Sequence, residues 1–148
     1  MERKDLFDEA TFDKIVARIQ QLTAASTPEW GQMSVAQMLA HAAEVQDVMN
    51  GKPLKGTPFL FRLIGPLIKR LVVDKKPYKR NLRTHPQYEM TDSEDFETQK
   101  DRLIDSIRSY RALGKSELKH PIFGRLSAEE RGWAAYKHLN HHLSQFGV

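Results

Sequence analysis

The stretch Tyr136 to Gly147, YKHLNHHLSQFG, holds three of the chain's six histidines. His138 and His142 are four residues apart, so on an α-helix their imidazoles project from one face on successive turns. At that spacing two ring nitrogens can share one metal ion, at roughly 2.0–2.1 Å if the ion is zinc. Such a pair alone is a common accident of helix surfaces. His41 strengthens it. Within SVAQMLAHAAEVQDVM it follows Met38 by three residues and precedes Val45 by four, which puts it on the inward face of its own helix among small alanines. Three inward imidazoles on two helices meet the need of a catalytic metal site: three protein ligands and an open position. The expected ligands are His41, His138 and His142.

Gln37, Glu44 and Gln145 each lie one helical turn from an expected ligand, where they could orient an imidazole N–H; Gln37 is equally explained as a helix cap. His141 is offset by one position, beside Lys137 on what reads as the charged side of the helix, and is expected at the rim of the site. His85 and His120 each precede a proline in a loop and are expected to be structural or exposed, although the loop around His120 could border a pocket. The chain has no cysteine, so any thiol chemistry must come from a bound molecule.

The elements that must position these residues are helical, because apolar residues recur at helical spacing and alternation is hard to find. The pattern predicts a first helix over about 9–24. A second, over 35–49, starts from Ser34 with Gln37 as capping-box partner and Met33 and Met38 as a hydrophobic staple. A third, over about 93–113, is announced by Thr91 and Glu94. The last runs from Ser127 and Glu130 to about Gln145. Between the second and third lies an irregular excursion: one or two short helices over 59–73, broken at Gly65-Pro66, then an extended basic loop. The expectation is an all-α four-helix bundle with a partly helical excursion, forming a single domain over residues 1–148.

Charge narrows the partners. Between Arg62 and Arg83 eight cations face one acid, Asp74, a local net of +7 within a total of +4, so the remainder carries −3. The apolar content of residues 60–72 suits a packed lid or interface better than a phosphate-binding arm, and aromatic residues among the cations are limited to Phe59, Phe61 and Tyr78, so nucleic acid is not expected as a partner; a membrane-surface helix is set beside it as an outsider. The stretch is too short and too charged to span a bilayer. The N-terminus lacks the apolar run of a signal peptide, which points to a cytoplasmic protein.

A histidine in LAH of the second helix, and a terminal H-x-x-H-H with glutamine three residues later, resemble the DinB-like superfamily, also called the YfiT-like metal-dependent enzymes. Their last helix typically reads N-H-x-x-H-H-R-G-Q. Here Lys137 replaces the asparagine and Leu143-Ser144 the arginine-glycine. The wider layout, WGQMS, RLIGPLIKRLV and HPIFGRLSAEE, resembles a branch of that superfamily with no assigned function. The resemblance implies a four-helix bundle, zinc or nickel on the three histidines, a homodimer, and a metal-dependent enzyme, its members with assigned activities including thiol-cofactor-dependent transferases and a maleylpyruvate isomerase; for the metal chemistry itself, hydrolysis of a small-molecule substrate and transfer of a thiol cofactor are both compatible. The alternatives are a non-enzymatic binding module using the basic 62–83 segment, or a structural or vestigial metal site.

Overall fold

The computed structural model describes residues 1–91, 95–114 and 119–148. These residues are mostly helical. The helices are α1 (Glu9–Gln21), α2 (Val35–Met49), α3 (Phe59–Leu63), α4 (Gly65–Val73), α5 (Phe96–Leu113) and α6 (Ala128–Gln145), with a 3-10 turn at Pro86–Tyr88. A hairpin of two-residue strands, β1 (Lys119–His120) and β2 (Gly124–Arg125), precedes α6. Strands that short carry no alternation, which is why the sequence pattern does not announce them. Among the described residues no helix is long and apolar enough to cross a membrane.

The two helices that carry the histidines have the most complete start signals. Ser34 Oγ accepts from the Gln37 amide at 3.1 Å, and Gln37 Oε1 accepts from the Ser34 amide at 2.9 Å. Ser127 and Glu130 repeat the arrangement for α6, at 3.1 and 2.8 Å. Each N-cap is worth about 1 kcal/mol, and each fixes where the helix begins and so which residues face inward.

Helix boundaries elsewhere differ from the sequence expectation. α1 stops at Gln21 because Leu22 turns extended, at φ −67° and ψ 140°. α5 starts at Phe96, capped by Asp95, whose carboxylate accepts from the Thr98 amide at 2.8 Å. The alternative start at Ser93, with its Glu94 capping partner, lies outside the described residues.

α2 is the central element, packed against α5, α6 and the 3-10 turn, while α1 packs on α5 and α6. The core draws Ile15 and Ile19 from α1, Met38 and Leu39 from α2, Leu103 and Ile107 from α5, and Trp133, Leu139 and Leu143 from α6. Ala40, Ala42 and Ala43 are all buried, and their small side chains let α2 sit close to its neighbours without voids.

The excursion is tied to α6 by buried polar contacts. Lys137 is only 1% exposed, and its ammonium donates to the Leu71 carbonyl at 2.6 Å, the Asp74 carbonyl at 3.1 Å and the Asp74 carboxylate at 2.7 Å. Trp133 Nε1 also donates to the Asp74 carbonyl, at 3.0 Å. Lys137 thus belongs to the interior, not to a charged side of α6. A long aliphatic stem lets it lie along the core while its head finds three acceptors and the face of Tyr78, 4.4 Å from the ring centroid.

Candidate metal centre

One ring nitrogen from each of His41, His138 and His142 lies within 4.8 Å of the others, the only such group of three or more metal-ligating side chains among the described residues. His41 Nε2 and His138 Nε2 are 3.2 Å apart. The rings of His41 and His142, and of His138 and His142, are 4.7 Å apart by centroid, at steep interplanar angles of 69° and 73°. The three rings thus surround a point instead of stacking.

Hydrogen bonds on the far side of two rings decide which nitrogen faces that point. His41 Nδ1 donates to the Tyr88 carbonyl at 2.8 Å, leaving Nε2 as a bare acceptor aimed at His138. His142 Nδ1 donates to Gln145 Oε1 at 3.0 Å. Gln145 in turn donates from Nε2 to the Trp30 carbonyl at 2.7 Å, and this second bond fixes which end of its amide meets the imidazole. Gly31 is required here. It has a φ of +84°, and a Cβ would come 2.6 Å from Gln145 Nε2. The loop before α2 therefore carries a residue with no side chain where the Gln145 amide needs the space.

The donor set fits a divalent ion. Two ligands about 2.0–2.1 Å from a tetrahedral zinc stand roughly 3.3–3.4 Å apart, close to the His41–His138 separation. Metal binding needs neutral imidazoles, and burial supplies them. Desolvation holds His41 and His138 below the usual 6.5, and for His138 the neighbouring His142 and His41 add to it. Burial lowers His142 to about 3, helped by His41 and opposed by the Gln145 bond.

The three nitrogens line the floor of an open cleft of about 960 Å³. Its walls come from the loop before α2 (Trp30, Met33), from α6 (His141) and from the basic loop after α4 (Tyr78, Leu82, Arg83). His141 stands edge-on to Tyr78 at 5.6 Å and to Trp30 at 6.0 Å, and Arg80 lies over the outer face of Trp30 at 4.2 Å. His141 is therefore a cleft wall beside the three clustered imidazoles.

Glu44 is placed differently from Gln145. Its carboxylate is bonded by Arg102 at 2.5 Å, Lys52 at 2.6 Å and Gln87 at 2.8 Å, and these partners keep it ionised despite burial. It touches no ligand directly. It anchors Gln87, and so the 3-10 turn whose Tyr88 carbonyl orients His41. Gln37 is spent on its cap, though it also lines the cleft.

His85 and His120 stay out of the cluster. His85 is buried, its Nδ1 accepts from the Gln87 amide at 3.1 Å, and it caps the 3-10 turn. His120 stacks on Phe123 at 3.7 Å and borders only a small separate pocket. Sequence reasoning missed Tyr88 and Trp30. Both act through backbone carbonyls, which leave no trace in residue type.

No curated protein and no solved structure matches the chain. A family model described as "Protein of unknown function (DUF1569)" matches residues 1–147, and the chain belongs to that family.

Proposed function

We infer that this protein is a divalent-metal-dependent enzyme of the DinB-like, four-helix-bundle type, acting on a small molecule as a hydrolase or a thiol-cofactor-dependent transferase. The observation that carries the reading is the convergence of three imidazole nitrogens, two of them on rings oriented from behind, in an open cleft, with no fourth metal-ligating side chain grouped with them among the described residues. A closed structural site would use a fourth protein ligand; an exchangeable position is the mark of a catalytic one. Zinc or nickel suits a borderline, all-imidazole donor set.

A bound ion would supply Lewis acidity and draw the pKa of a water or small-molecule thiol toward neutrality, a role that no cysteine of this chain can fill. The chain's own residues do the rest. Tyr88 and Gln145 fix the His41 and His142 rings through their outer nitrogens, so neither ring must reorient when a ligand exchanges. Trp30, Met33, Tyr78 and Leu82 give the cleft apolar walls that limit bulk water at the floor. Arg83 and His141 on those walls supply hydrogen-bond donors to a substrate.

Metal analysis of protein purified without a polyhistidine tag tests the reading. Wild type should carry about one divalent ion per chain, and the His138→Ala, His142→Ala double variant none. Equal metal in both proteins would sink the metal reading. Stability that depends on metal, without turnover on ester, amide or thiol-acceptor substrates, would favour the structural alternative.

A further inference from the structure

The helices α3 and α4 present a surface that the cleft does not use. Phe59, Leu63, Leu67 and Leu71 recur every four residues, and all four are exposed, Phe59 and Leu67 to 73%. Leu60 and Ile64 widen the stripe. The break between the two helices does not turn it, because Ile64 donates to the Leu60 carbonyl and Ile68 to the Ile64 carbonyl, both at 3.0 Å. The pair therefore reads almost as one continuous helix.

The stripe cannot roll inward to hide itself. On the opposite face Gly65 is buried so close to the hairpin that a Cβ would stand 2.5 Å from the Ile122 carbonyl. Lys69 donates to the Arg125 carbonyl at 2.7 Å, and Lys137 grips the Leu71 carbonyl. Six large apolar residues exposed by 37–73% form one contiguous stripe in the size class of the largest patch on an ordinary monomer, ~300–600 Å², which is often functional.

Charge selects the occupant. Lys55 precedes the stripe, Arg70 lies within α4, and Lys75, Lys76 and Lys79 follow, all exposed. The one acid among the 62–83 cations, Asp74, is already taken by Lys137. Pairing this face with a second copy would bring two segments of +7 together, over less than the ~800 Å² per partner of a stable interface. An apolar stripe bordered by cations matches a layer of acyl chains beneath anionic headgroups. Lying on a membrane surface needs neither the length nor the low charge that spanning requires.

We propose that the outer face of α3 and α4 docks on an anionic lipid surface, with Phe59, Leu63 and Leu67 entering the acyl boundary and Arg70, Lys75 and Lys76 in the headgroup layer. None of the side chains of the stripe lines the cleft, so docking there does not depend on the metal reading.

The test is co-sedimentation of the full chain with large vesicles of phosphatidylglycerol and phosphatidylcholine, and with phosphatidylcholine alone, at low and high salt. Wild type should bind the anionic vesicles and lose most of that binding on neutral vesicles or at high salt. Leu63→Glu with Leu67→Glu, and separately Lys75→Glu with Lys76→Glu, should each weaken binding at least ~10-fold. These residues are exposed, so unchanged circular dichroism and thermal midpoint should show both variants folded. Absence of wild-type binding, equal binding to neutral vesicles, or binding unaltered in the variants would overturn the proposal. So would a wild-type dimer that the leucine variant dissociates while neither protein binds vesicles, since a second copy would then cover the stripe.

Discussion

The histidine cluster and the α3–α4 face invert the usual distribution of side chains in opposite ways. Around the cluster, Lys137, Glu44, His41, His142 and Gln145 lie in the interior; on α3 and α4, Phe59, Leu60, Leu63 and Leu67 face solvent. Buried polar groups are costly unless satisfied, and here the carboxylate, the ammonium and two imidazoles each have named partners at hydrogen-bond distance. Exposed apolar groups carry no comparable strain within the fold, and their cost falls on solubility and association. The first region is thus held in place by its own network, and the second is left open by contacts on its opposite face. The lesson is that both departures from the ordinary pattern mark candidate functional surfaces, but only the first can be damaged by mutation without reference to a partner.

That asymmetry can be broken experimentally, and the largest effect should come from the ligands. Removing His138 and His142 together should abolish metal retention after dialysis, measured by elemental analysis, because one remaining imidazole cannot hold the ion. Next comes the join between the regions. Lys137→Ala takes the cation from the partly buried Asp74 carboxylate and the ammonium donor from the Leu71 carbonyl, and should lower unfolding free energy by about 2–3 kcal/mol in denaturant titration. Loss below about 0.5 kcal/mol would show that the excursion is not held by this contact.

A smaller effect is expected one step behind the ligands. Gln145→Leu frees His142 to rotate and orphans the Trp30 carbonyl, so metal affinity in a chelator competition should fall by about 10–100-fold with the fold intact. The metal-free protein should also be acid-sensitive. Its ligand imidazoles resist protonation when folded, His142 down to about 3, whereas the unfolded chain takes up those protons near 6.5. Their neutral burial costs nothing above that pH, and the thermal midpoint should fall as pH drops below it. A flat midpoint from pH 7 to pH 5 would contradict dry, neutral imidazoles. Smallest of all, Leu67→Ser on the exposed stripe should change stability by no more than about 0.5 kcal/mol. A larger loss would mean that this face is packed in solution.

Local signals carried much of the architecture. Helix α2 runs over the residues that Ser34, Gln37 and Asn50 predict, because capping chemistry is settled within four residues. The break in the excursion falls beside Gly65-Pro66, where a proline near the helix start is tolerated and one in its middle is not. That His138 and His142 share one face of α6, and that His41 faces inward on α2, was legible because helical spacing sets which side chains of one helix share a face.

What spacing could not supply was any relation between separate helices. Periodicity assigned Lys137 to a polar side from its charge, yet the three acceptors that bury it come from residues 71 and 74, more than sixty positions away. Glu44 sits one turn from His41 as expected, but Arg102 and Lys52 claim its carboxylate, and only packing against α5 brings Arg102 there. Tyr88 and Trp30 orient the His41 and His142 rings, Trp30 by way of Gln145, through carbonyls that every residue possesses. The sequence by itself determined where α2 and α6 begin, their caps and the inward face on which the imidazoles lie, since these depend on interactions between near neighbours. Tertiary structure alone decided which nitrogen of His41 and of His142 is free, what walls the cleft, and that the apolar face of α3 and α4 stays uncovered. Those outcomes depend on distant segments meeting, and residue type and spacing do not encode where they meet.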